Sequence, residues 1–415
     1  MSKKILIIGN STKAYALAKF LSKNNKVFVS SNSDSIKEFA TCLDIREDAT
    51  SELLEFVLEN DIDITIPVSE KTLNTNLVEI LTNNNQAVFA PTKNVTNLIF
   101  DKSAIKKILY KLKVPTPKFG IFEKQNMALD YIKNLKTPFV IKTNEPSSAI
   151  VLTSSNTAKN ILETYFSKKN QRVIIEDYVW GTPFSFYAIT DGYNALPIGS
   201  SLIYRHSLEG DGGQITTGMG ACSPNYKLSI ENEYFLMEEV INQVLEYLES
   251  GGNTYLGILG VNGIICPDGT LQILGFQTFL QDCDCTAILE LLDTDIIKLI
   301  YSCIIGSFSD EVNSIYQKDM SATSLVLTCK NKENSSNIIY GLDNLDENTK
   351  IDFYPQVKKN KYLEYEADIG AVIVLTSIAR TLSSSTKLVY NEAQCIDFKG
   401  LFYRKDICKY SNNFN

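Results

Sequence analysis

The chain opens on the apolar stretch Lys4-Ile5-Leu6-Ile7-Ile8, which runs directly into the turn Gly9-Asn10-Ser11. A short apolar run that ends at a glycine predicts a buried strand, and the helical pattern at residues 12–22 predicts a helix behind it. Further strand patterns occupy residues 27–30, 63–68 and 87–90, with helical patterns at 50–59 and 73–82 between them. Strands that alternate with helices indicate a parallel, doubly wound sheet.

The turn after the first strand indicates whether this domain can bind a dinucleotide such as NAD. It reads Gly9-Asn10-Ser11-Thr12-Lys13 and holds a single glycine. A dinucleotide-binding turn uses three glycines, which let the backbone approach a pyrophosphate. The residues therefore favour a bare scaffold, with NAD binding as the alternative.

The rest of the chain predicts two further parts. Prolines in Val114-Pro115-Thr116-Pro117 end a helix that starts at Asp101, and they mark the start of a new module. Helical patterns at 127–135 and 157–166, with strand patterns at 138–142 and 173–176, predict a small α+β unit. A long helix near 230–249 and a hairpin that turns on Pro267-Asp268-Gly269 follow. We expect domains at residues 1–100, 101–319 and 320–415, with a small lid-like module at about 116–180 inside the second.

Composition excludes several kinds of partner. The 415 residues carry 40 basic and 48 acidic side chains, a net charge of −8, and no block of basic residues. Nucleic-acid and membrane-surface partners therefore get little support. No apolar run approaches a membrane span, and the start does not read as a signal peptide. We expect a cytoplasmic protein with small-molecule substrates, either a monomer or a weak homodimer.

The nine cysteines are scattered, which fits a reducing cytosol better than a disulfide scaffold. Cys283 and Cys285 lie close enough together to bind a soft metal. No second thiol pair or histidine pair accompanies them, and the only histidine is His206. A structural zinc site takes four nitrogen or sulfur ligands. Ordinary loop cysteines are therefore the favoured interpretation, with a metal site as the alternative.

Short motifs follow one another in order at residues 5–10, 89–93, 101–106, 175–179, 217–224 and 398–407. One of them reads Thr217-Gly218-Met219-Gly220-Ala221-Cys222-Ser223-Pro224. In sequence and order they resemble the motifs of the phosphoribosylamine–glycine ligase family, the glycinamide ribonucleotide synthetases, which are ATP-grasp enzymes of purine synthesis. The resemblance covers nearly the whole chain.

The resemblance implies a fold that is α/β and α+β multidomain. Its parts are a preATP-grasp Rossmann-like domain, a two-module ATP-grasp domain and a small C-terminal β-rich domain. It also implies ATP and Mg²⁺ as cofactors. In the implied reaction ATP forms an acyl phosphate on glycine, and the amine of 5-phosphoribosylamine then attacks it.

The resemblance also implies roles for single residues at the nucleotide. Phosphoryl transfer depends on positioning and on neutralising charge. Lys102 and Lys142 occupy the positions that contact ATP phosphates, although each lysine taken alone could equally be a solvated surface residue. Glu176 lies in the motif at 175–179, where the backbone of Asp177 and Val179 would face the adenine edge.

Substrate residues are implied in the same way. They are Lys13, Glu70, Thr217, Gly218, Met219 and Gly220. Glu70 could instead be an acid at a helix start, where the helix dipole favours it. Arg205, Asp211 and Asp282 are the catalytic candidates. Arg205 suits a phosphate or a carboxylate, and its alternative is an ordinary surface arginine.

The chain departs from the family pattern where phosphate and metal would bind. The glycine-rich phosphate loop is replaced by Thr143-Asn144-Glu145-Pro146-Ser147-Ser148-Ala149, and the ribose-binding acid falls at Pro183. The metal strand, E-F-N in the family, reads Gly275-Phe276-Gln277. Mg²⁺ prefers carboxylate oxygens, so Gln277 is a weak metal candidate.

Three functions follow from this mixture of kept and lost residues. The first is the family ligation, with impaired activity. The second is a divergent ligase that joins another carboxylate to another amine. The third is a nucleotide- or partner-binding protein without turnover. The missing metal carboxylate separates the two enzyme readings from the third.

Overall fold

The computed structural model describes residues 2–145, 148–168, 172–312, 314–331 and 337–408. The N-terminal part is a four-stranded parallel sheet in the order β3–β2–β1–β4, flanked by helices. Its elements are β1 (Lys4–Ile8), α1 (Thr12–Ser22), β2 (Lys26–Ser30), β3 (Thr41–Cys42), α2 (Thr50–Glu59), β4 (Ile64–Pro67), α3 (Glu70–Leu73), α4 (Leu77–Asn83) and α5 (Lys93–Phe100). The predicted parallel, Rossmann-like sheet is confirmed.

Two local predictions in this part are wrong. The strand predicted at residues 87–90 is reduced to one bridge between Thr65 and Val88. The helix predicted at 73–82 is split into α3 and α4. Thr75 causes the break, because its hydroxyl donates to the Thr72 carbonyl at 2.7 Å and accepts from the Leu77 amide at 3.2 Å. A threonine that binds neighbouring backbone groups competes with a continuous helix.

The second part is a small unit built on a four-stranded sheet in the order β5–β8–β6–β7. Helix α6 (Lys102–Lys111) precedes this unit, and its apolar side chains Ile105, Ile108 and Leu109 pack in a different core, with Leu271 and Ile273. The elements of the unit are β5 (Phe119–Phe122), α7 (Gln125–Ile132), β6 (Phe139–Lys142), β7 (Ile150–Leu152), α8 (Ala158–Phe166) and β8 (Val173–Asp177). Helices α7 and α8 pack on the sheet through apolar side chains such as Ala128, Phe139 and Leu162.

The third part is a nine-stranded antiparallel sheet, β13–β12–β9–β10–β11–β14–β18–β15, with β19 paired to β14. Its strands are β9 (Thr182–Thr190), β10 (Ala195–Leu208), β11 (Gly212–Ser223), β12 (Gly257–Ile265), β13 (Leu271–Gln277), β14 (Ser321–Cys329), β15 (Thr349–Phe353), β18 (Gly370–Ala379) and β19 (Leu401–Phe402); the hairpin β16 (Lys358–Lys359) and β17 (Tyr365–Glu366) stands apart. Its helices are α9 (Ile230–Phe235), a π-helix (Leu236–Asn242), α10 (Gln243–Ser250), α11 (Asp282–Leu291), α12 (Ile296–Ile305), α13 (Phe308–Glu311) and α14 (Leu382–Ala393).

This sheet runs across the domain boundary that we placed at residue 319. Strand β11 pairs with β14, so that Gly220 lies opposite Leu325. Gly220 is required there, since a Cβ atom would come within 2.7 Å of the Ser324 carbonyl oxygen. The described C-terminal residues therefore extend the central sheet, and the division into three domains stays a prediction.

One pair of cysteines departs from the expectation of scattered thiols. Cys222 in β11 and Cys408 are both buried, with their sulfurs in bonding contact and their Cα atoms 6.6 Å apart. That Cα separation lies within the range of protein disulfides. The other seven cysteines are unpaired.

A buried carboxylate in β15 leads to a prediction about pH. Asp352 packs toward α1, where Lys19 donates to the neighbouring Ile351 carbonyl at 2.7 Å. Burial raises the pKa of Asp352 to about 6, more than the charge of Lys19 lowers it. Between its ordinary pKa and about 6, the folded chain holds a proton that the unfolded chain has released. Stability therefore falls as the pH rises through that window.

We predict that Asp352→Asn stabilises the protein by up to about 3 kcal/mol near pH 7.5 and has little effect near pH 4. Urea unfolding at both pH values measures this. Asp343→Asn, at an exposed position in the same part of the chain, is the control. Equal effects of Asp352→Asn at the two pH values would contradict the assignment.

Candidate active site

Two lysines meet one carboxylate at the centre of the small unit. Lys142 of β6 lies 2.5 Å from Glu176 Oε1, and Lys106 of α6 lies 2.9 Å from Oε2. Lys106 also donates to Thr116 Oγ1 at 2.6 Å. All three charged side chains are buried. In the register of β6 and β8, Val140 lies opposite Glu176, so Lys142 projects from the same face as Glu176.

A third lysine joins this group from the start of α6. Lys102 donates to the carbonyls of Thr143 and Glu145 at 2.9 and 2.7 Å, and to Ser148 Oγ at 3.3 Å. Its ammonium group therefore lies in the segment that replaces the family's phosphate loop. Pro146 and Ser147 of that segment lie outside the described residues.

The pKa shifts follow from this arrangement. Burial opposes the charge on Glu176, but Lys142 and Lys106 outweigh it and lower the pKa of its carboxyl. Burial lowers the pKa of Lys106 to about 8. Burial, followed by the charge of Lys142, lowers the pKa of Lys102 to about 8. The single carboxylate of Glu176 is thus shared by two buried lysines, and Lys102 adds a third positive charge that the exposed Glu70 offsets in part. A buried excess of positive charge favours a bound anion.

The predicted adenine residues border a neighbouring cleft of 710 Å³. Asp177 and Val179 line it together with Thr116, Trp180 and the hairpin turn at Pro267. Asp177 donates its amide to the Lys118 carbonyl at 2.9 Å, which fixes the strand beside the cleft. The binding of adenine at these residues stays a prediction.

Strand β13, the predicted metal strand, pairs with β12, and β12 pairs with β9. The side chains in line with Gly275 on these two strands are uncharged. Gly275 lies opposite Asn262 of β12, which lies opposite Ser185 of β9. Asn262 Oδ1 accepts from Ser185 Oγ at 3.0 Å and from Arg205 Nη2 at 3.4 Å. A Cβ atom added at Gly275 would meet nothing within 4 Å. Position 275 therefore has room for an acidic side chain, but glycine supplies none.

The donor set of this strand does not fit Mg²⁺. Gln277 is neutral, and its Oε1 is buried without a hydrogen-bond partner among the described residues. The described part of the chain contains no group of three or more histidine, cysteine or acidic side chains placed to hold a metal ion. Mg²⁺ needs octahedral oxygen ligands that include a carboxylate, and Gly275 supplies none.

The two acids after β13 are tied to other parts of the fold. Asp282 Oδ1 accepts from the Lys13 amide at 3.0 Å. Asp284 is fully buried and accepts from Tyr187 Oη at 2.6 Å and from Ser201 Oγ. Burial raises the pKa of both carboxyl groups. Asp282 holds the start of α1, and Asp284 stabilises the sheet beneath the site.

Cys283 and Cys285 are helix residues rather than loop residues. Both lie in α11 and are buried, and burial raises the pKa of each thiol well above its ordinary value. The thiolate is the form that binds metals. The alternative of a soft-metal site is therefore not supported.

A second cavity, of 450 Å³, opens where β1 meets α1. It is lined by Asn10, Ser11, Thr12, Asp282, Tyr354, Pro355 and Gln356. The hydroxyl groups of Thr12 and Tyr354 are buried there, and neither makes a well-formed hydrogen bond among the described residues. The cavity therefore combines a helix N-terminus, two hydroxyl groups that contact each other and one carboxylate. Lys13 follows directly in α1.

The remaining predicted residues are spread over several elements and line neither cavity. Glu70 is exposed at the start of α3, and its charge acts on Lys102. Thr217 is exposed on β11, whereas Gly218, Met219 and Gly220 are buried in the sheet. Pro183 lies in β9. The assignment of these residues to substrates stays a prediction.

Asp211 is held by the C-terminal segment. The buried Arg404 donates to Asp211 at 3.1 Å, to the His206 carbonyl at 2.9 Å and to both oxygens of Asp406 at 2.8 and 2.7 Å. Asp406 in turn accepts from the Gly210 amide at 2.9 Å. The segment therefore clamps the turn between β10 and β11, and Asp211 is part of that clamp.

We predict that Glu176→Gln destabilises the protein by about 3–5 kcal/mol, because it leaves buried lysines without their carboxylate. Chemical unfolding measures the loss, and inorganic pyrophosphate should restore part of it. Glu163→Gln, on the exposed side of α8, is the control. A loss below about 1 kcal/mol would show that the carboxylate does not hold the lysines.

Comparison with known proteins supports the resemblance. Residues 3–98 match the N domain of phosphoribosylglycinamide synthetase, and residues 100–285 match its ATP-grasp (A) domain. The phosphoribosylamine–glycine ligase of Caldanaerobacter subterraneus is 25% identical, over 97% of this chain and 99% of that protein. The ligase of Fusobacterium nucleatum is 27% identical, over 97% and 98%.

Solved structures agree on the fold. The phosphoribosylamine–glycine ligase of Thermotoga maritima matches with a TM-score of 0.80 at 20% identity, over 97% of this chain and 99% of that one. The biotin carboxylase of Campylobacter jejuni matches with a TM-score of 0.75 at 15% identity, over 100% and 98%. The two family matches together cover more than half of the sequence, and the chain belongs to the phosphoribosylglycinamide synthetase family.

Proposed function

We propose that this protein joins glycine to 5-phosphoribosylamine with ATP, at a rate far below that of a site with complete metal ligands. The observation that carries the proposal is the buried group of Lys106, Lys142 and Glu176, with the half-buried Lys102 next to it, beside a nucleotide-sized cleft. Its excess positive charge suits a polyphosphate. Relatives that match nearly the full length are named phosphoribosylamine–glycine ligases.

In this proposal the chemistry has two steps. The glycine carboxylate attacks the terminal phosphorus of ATP, which releases ADP and leaves an acyl phosphate. The amine of the sugar then attacks the acyl carbon and releases phosphate. Lys102 and Lys142 bind the ATP phosphates, and Arg205 faces the anion from the opposite sheet. Positioning and charge neutralisation are the protein's main contributions to such transfers.

The cavity at the start of α1 suits the amine sugar. A helix N-terminus favours a phosphate group, and the backbone from Asn10 to Thr12 lies at that end of α1. The hydroxyl groups of Thr12 and Tyr354 can bind the sugar, and Asp282 can accept from the amine. These assignments follow from the chemistry of the lining residues.

Mg²⁺ is the family's expected metal, and its protein ligands are what this chain lacks. The loss of one well-placed electrostatic stabiliser costs about 10²–10³ in rate. Gly275 and Gln277 together therefore favour a second candidate function, a nucleotide-binding protein without turnover. Product formation separates the two functions.

The proposed reaction needs only small-molecule partners. None of the helices in the described residues is long and apolar enough to cross a membrane. The cytoplasmic location and the state of a monomer or weak homodimer stay predictions.

We predict that ADP release with both substrates is slower than about one per second, the low end for phosphoryl transfer. The double variant Gly275→Glu with Gln277→Asn should be faster, because it places a carboxylate where a Cβ atom has free space. Gly275→Gln with Gln277→Asn is the matched control, equal in size and without charge. A native rate in the ordinary range would show that the site is not impaired.

A further inference from the structure

We propose that the polyphosphate of a nucleotide is bound beside the cleft by lysine and arginine side chains and by the amide of Gln277, and that the protein contributes no ligand to a divalent cation. The inference deepens the proposed function, since it rests on a nucleotide at the same cleft. It is tested by binding, without glycine or the amine sugar. A failure of ligation therefore leaves it standing.

The first observation is the charge inside the small unit. Lys102, Lys106 and Lys142 carry three positive charges against the single carboxylate of Glu176. Glu145 and Asp101 are paired with cations elsewhere, and the exposed Glu70 offsets part of the charge on Lys102. The Glu145 carboxylate lies 2.7 Å from Lys168. That of Asp101 lies 3.6 Å from Arg172, and it also caps α6 through the amides of Ser103 and Ala104.

A ligand with two or more negative charges matches this excess. A nucleotide without a metal carries more negative charge than its magnesium complex, so the lysines favour the free polyanion. Inorganic polyphosphate has the same chemistry at this group. Only a nucleotide also uses the cleft beside Asp177 and Val179, which is broad enough for a base.

The second observation is the row of side chains across β13, β12 and β9, at the predicted metal strand. Gly275, Asn262 and Ser185 lie opposite one another and offer an amide and a hydroxyl group. Two charged groups contact this row: the guanidinium of Arg205, 3.4 Å from Asn262 Oδ1, and the buried carboxylate of Asp284, which lies against Ser185 and whose pKa burial raises. A fixed cation at that place attracts phosphate and repels a divalent ion.

Gln277 strengthens this interpretation. Tyr187 lies under the row, and the absence of a side chain at Gly260 makes room for its ring. Gln277, opposite Gly260, then projects its buried amide with no partner for Oε1 among the described residues. An amide offers two N–H donors as well as an acceptor. When the amide rotates, its N–H groups can donate to a phosphate oxygen. A carboxylate at this position has no such donors.

The third observation excludes a rebuilt metal site from the acids nearby. Asp282 is engaged by the Lys13 amide at the other cavity. Asp284 lies on the same face of the sheet as the row, but it is fully buried and held by Tyr187, Ser201 and Ser185. Neither acid can approach Gly275 without giving up the contacts that hold α1 or the central sheet.

The experiment is calorimetric titration of the full chain with ATP, once in excess Mg²⁺ and once in EDTA. We expect the dissociation constant in EDTA to be equal to that in Mg²⁺ within about threefold, or lower. The variant Gly275→Glu with Gln277→Asn should bind at least about tenfold more tightly in Mg²⁺ than in EDTA. Native protein that loses about tenfold or more in EDTA, or that binds ATP in neither condition, overturns the proposal.

A second arm does not depend on the folding of the double variant. Arg205→Gln should weaken ATP binding in EDTA by about tenfold, the value of one charged hydrogen bond. Arg46→Gln, on the exposed surface of the first domain, is the control and should change nothing. If Arg205→Gln binds ATP as tightly as the native protein, Arg205 does not bind the polyphosphate and the proposal is overturned. Inorganic triphosphate that binds as tightly as ATP overturns the nucleotide as the ligand.

Discussion

The site depends on the carboxylate of Glu176 between Lys106 and Lys142. It joins α6 to the sheet of the small unit and fixes two ammonium groups at 2.9 and 2.5 Å before any ligand arrives. Buried charges of this kind persist only when paired. The pairing keeps lysines charged inside the protein, where the attraction between a cation and a phosphate is stronger than in water. The same contacts that stabilise the fold thereby prepare an anion site.

Strand β13, which the resemblance assigns to the metal, carries no acidic side chain that could bind one. Gly275 leaves open space, Gln277 is neutral, and the two nearby acids hold α1 and the central sheet. In the proposed account, the chain keeps the lysines of an ATP-grasp cleft, and amides and Arg205 stand where the family places its metal ligands. Binding and turnover depend on different groups here, so one can persist while the other declines.

Much of the fold could be predicted from the sequence, because its strands are short apolar runs between turns, as at residues 4–8. Lys102 and Lys142 were identified through motifs. Lys106 was missed, since a lysine inside a helical segment looks like a surface residue until the strand beside it is known. The bond from Arg404 to Asp211 joins residues 193 positions apart and leaves no local signal. The break at Thr75 depends on one hydroxyl group that takes backbone partners.

The most direct test of this account is a crystal structure with a non-hydrolysable ATP analogue and Mn²⁺, whose anomalous scattering locates the metal. The account predicts a triphosphate bound by Lys102, Lys142 and Arg205, with no manganese on any protein side chain. A manganese ion coordinated by Gln277 Oε1 together with the carboxylate of Asp282 or Asp284 would contradict it.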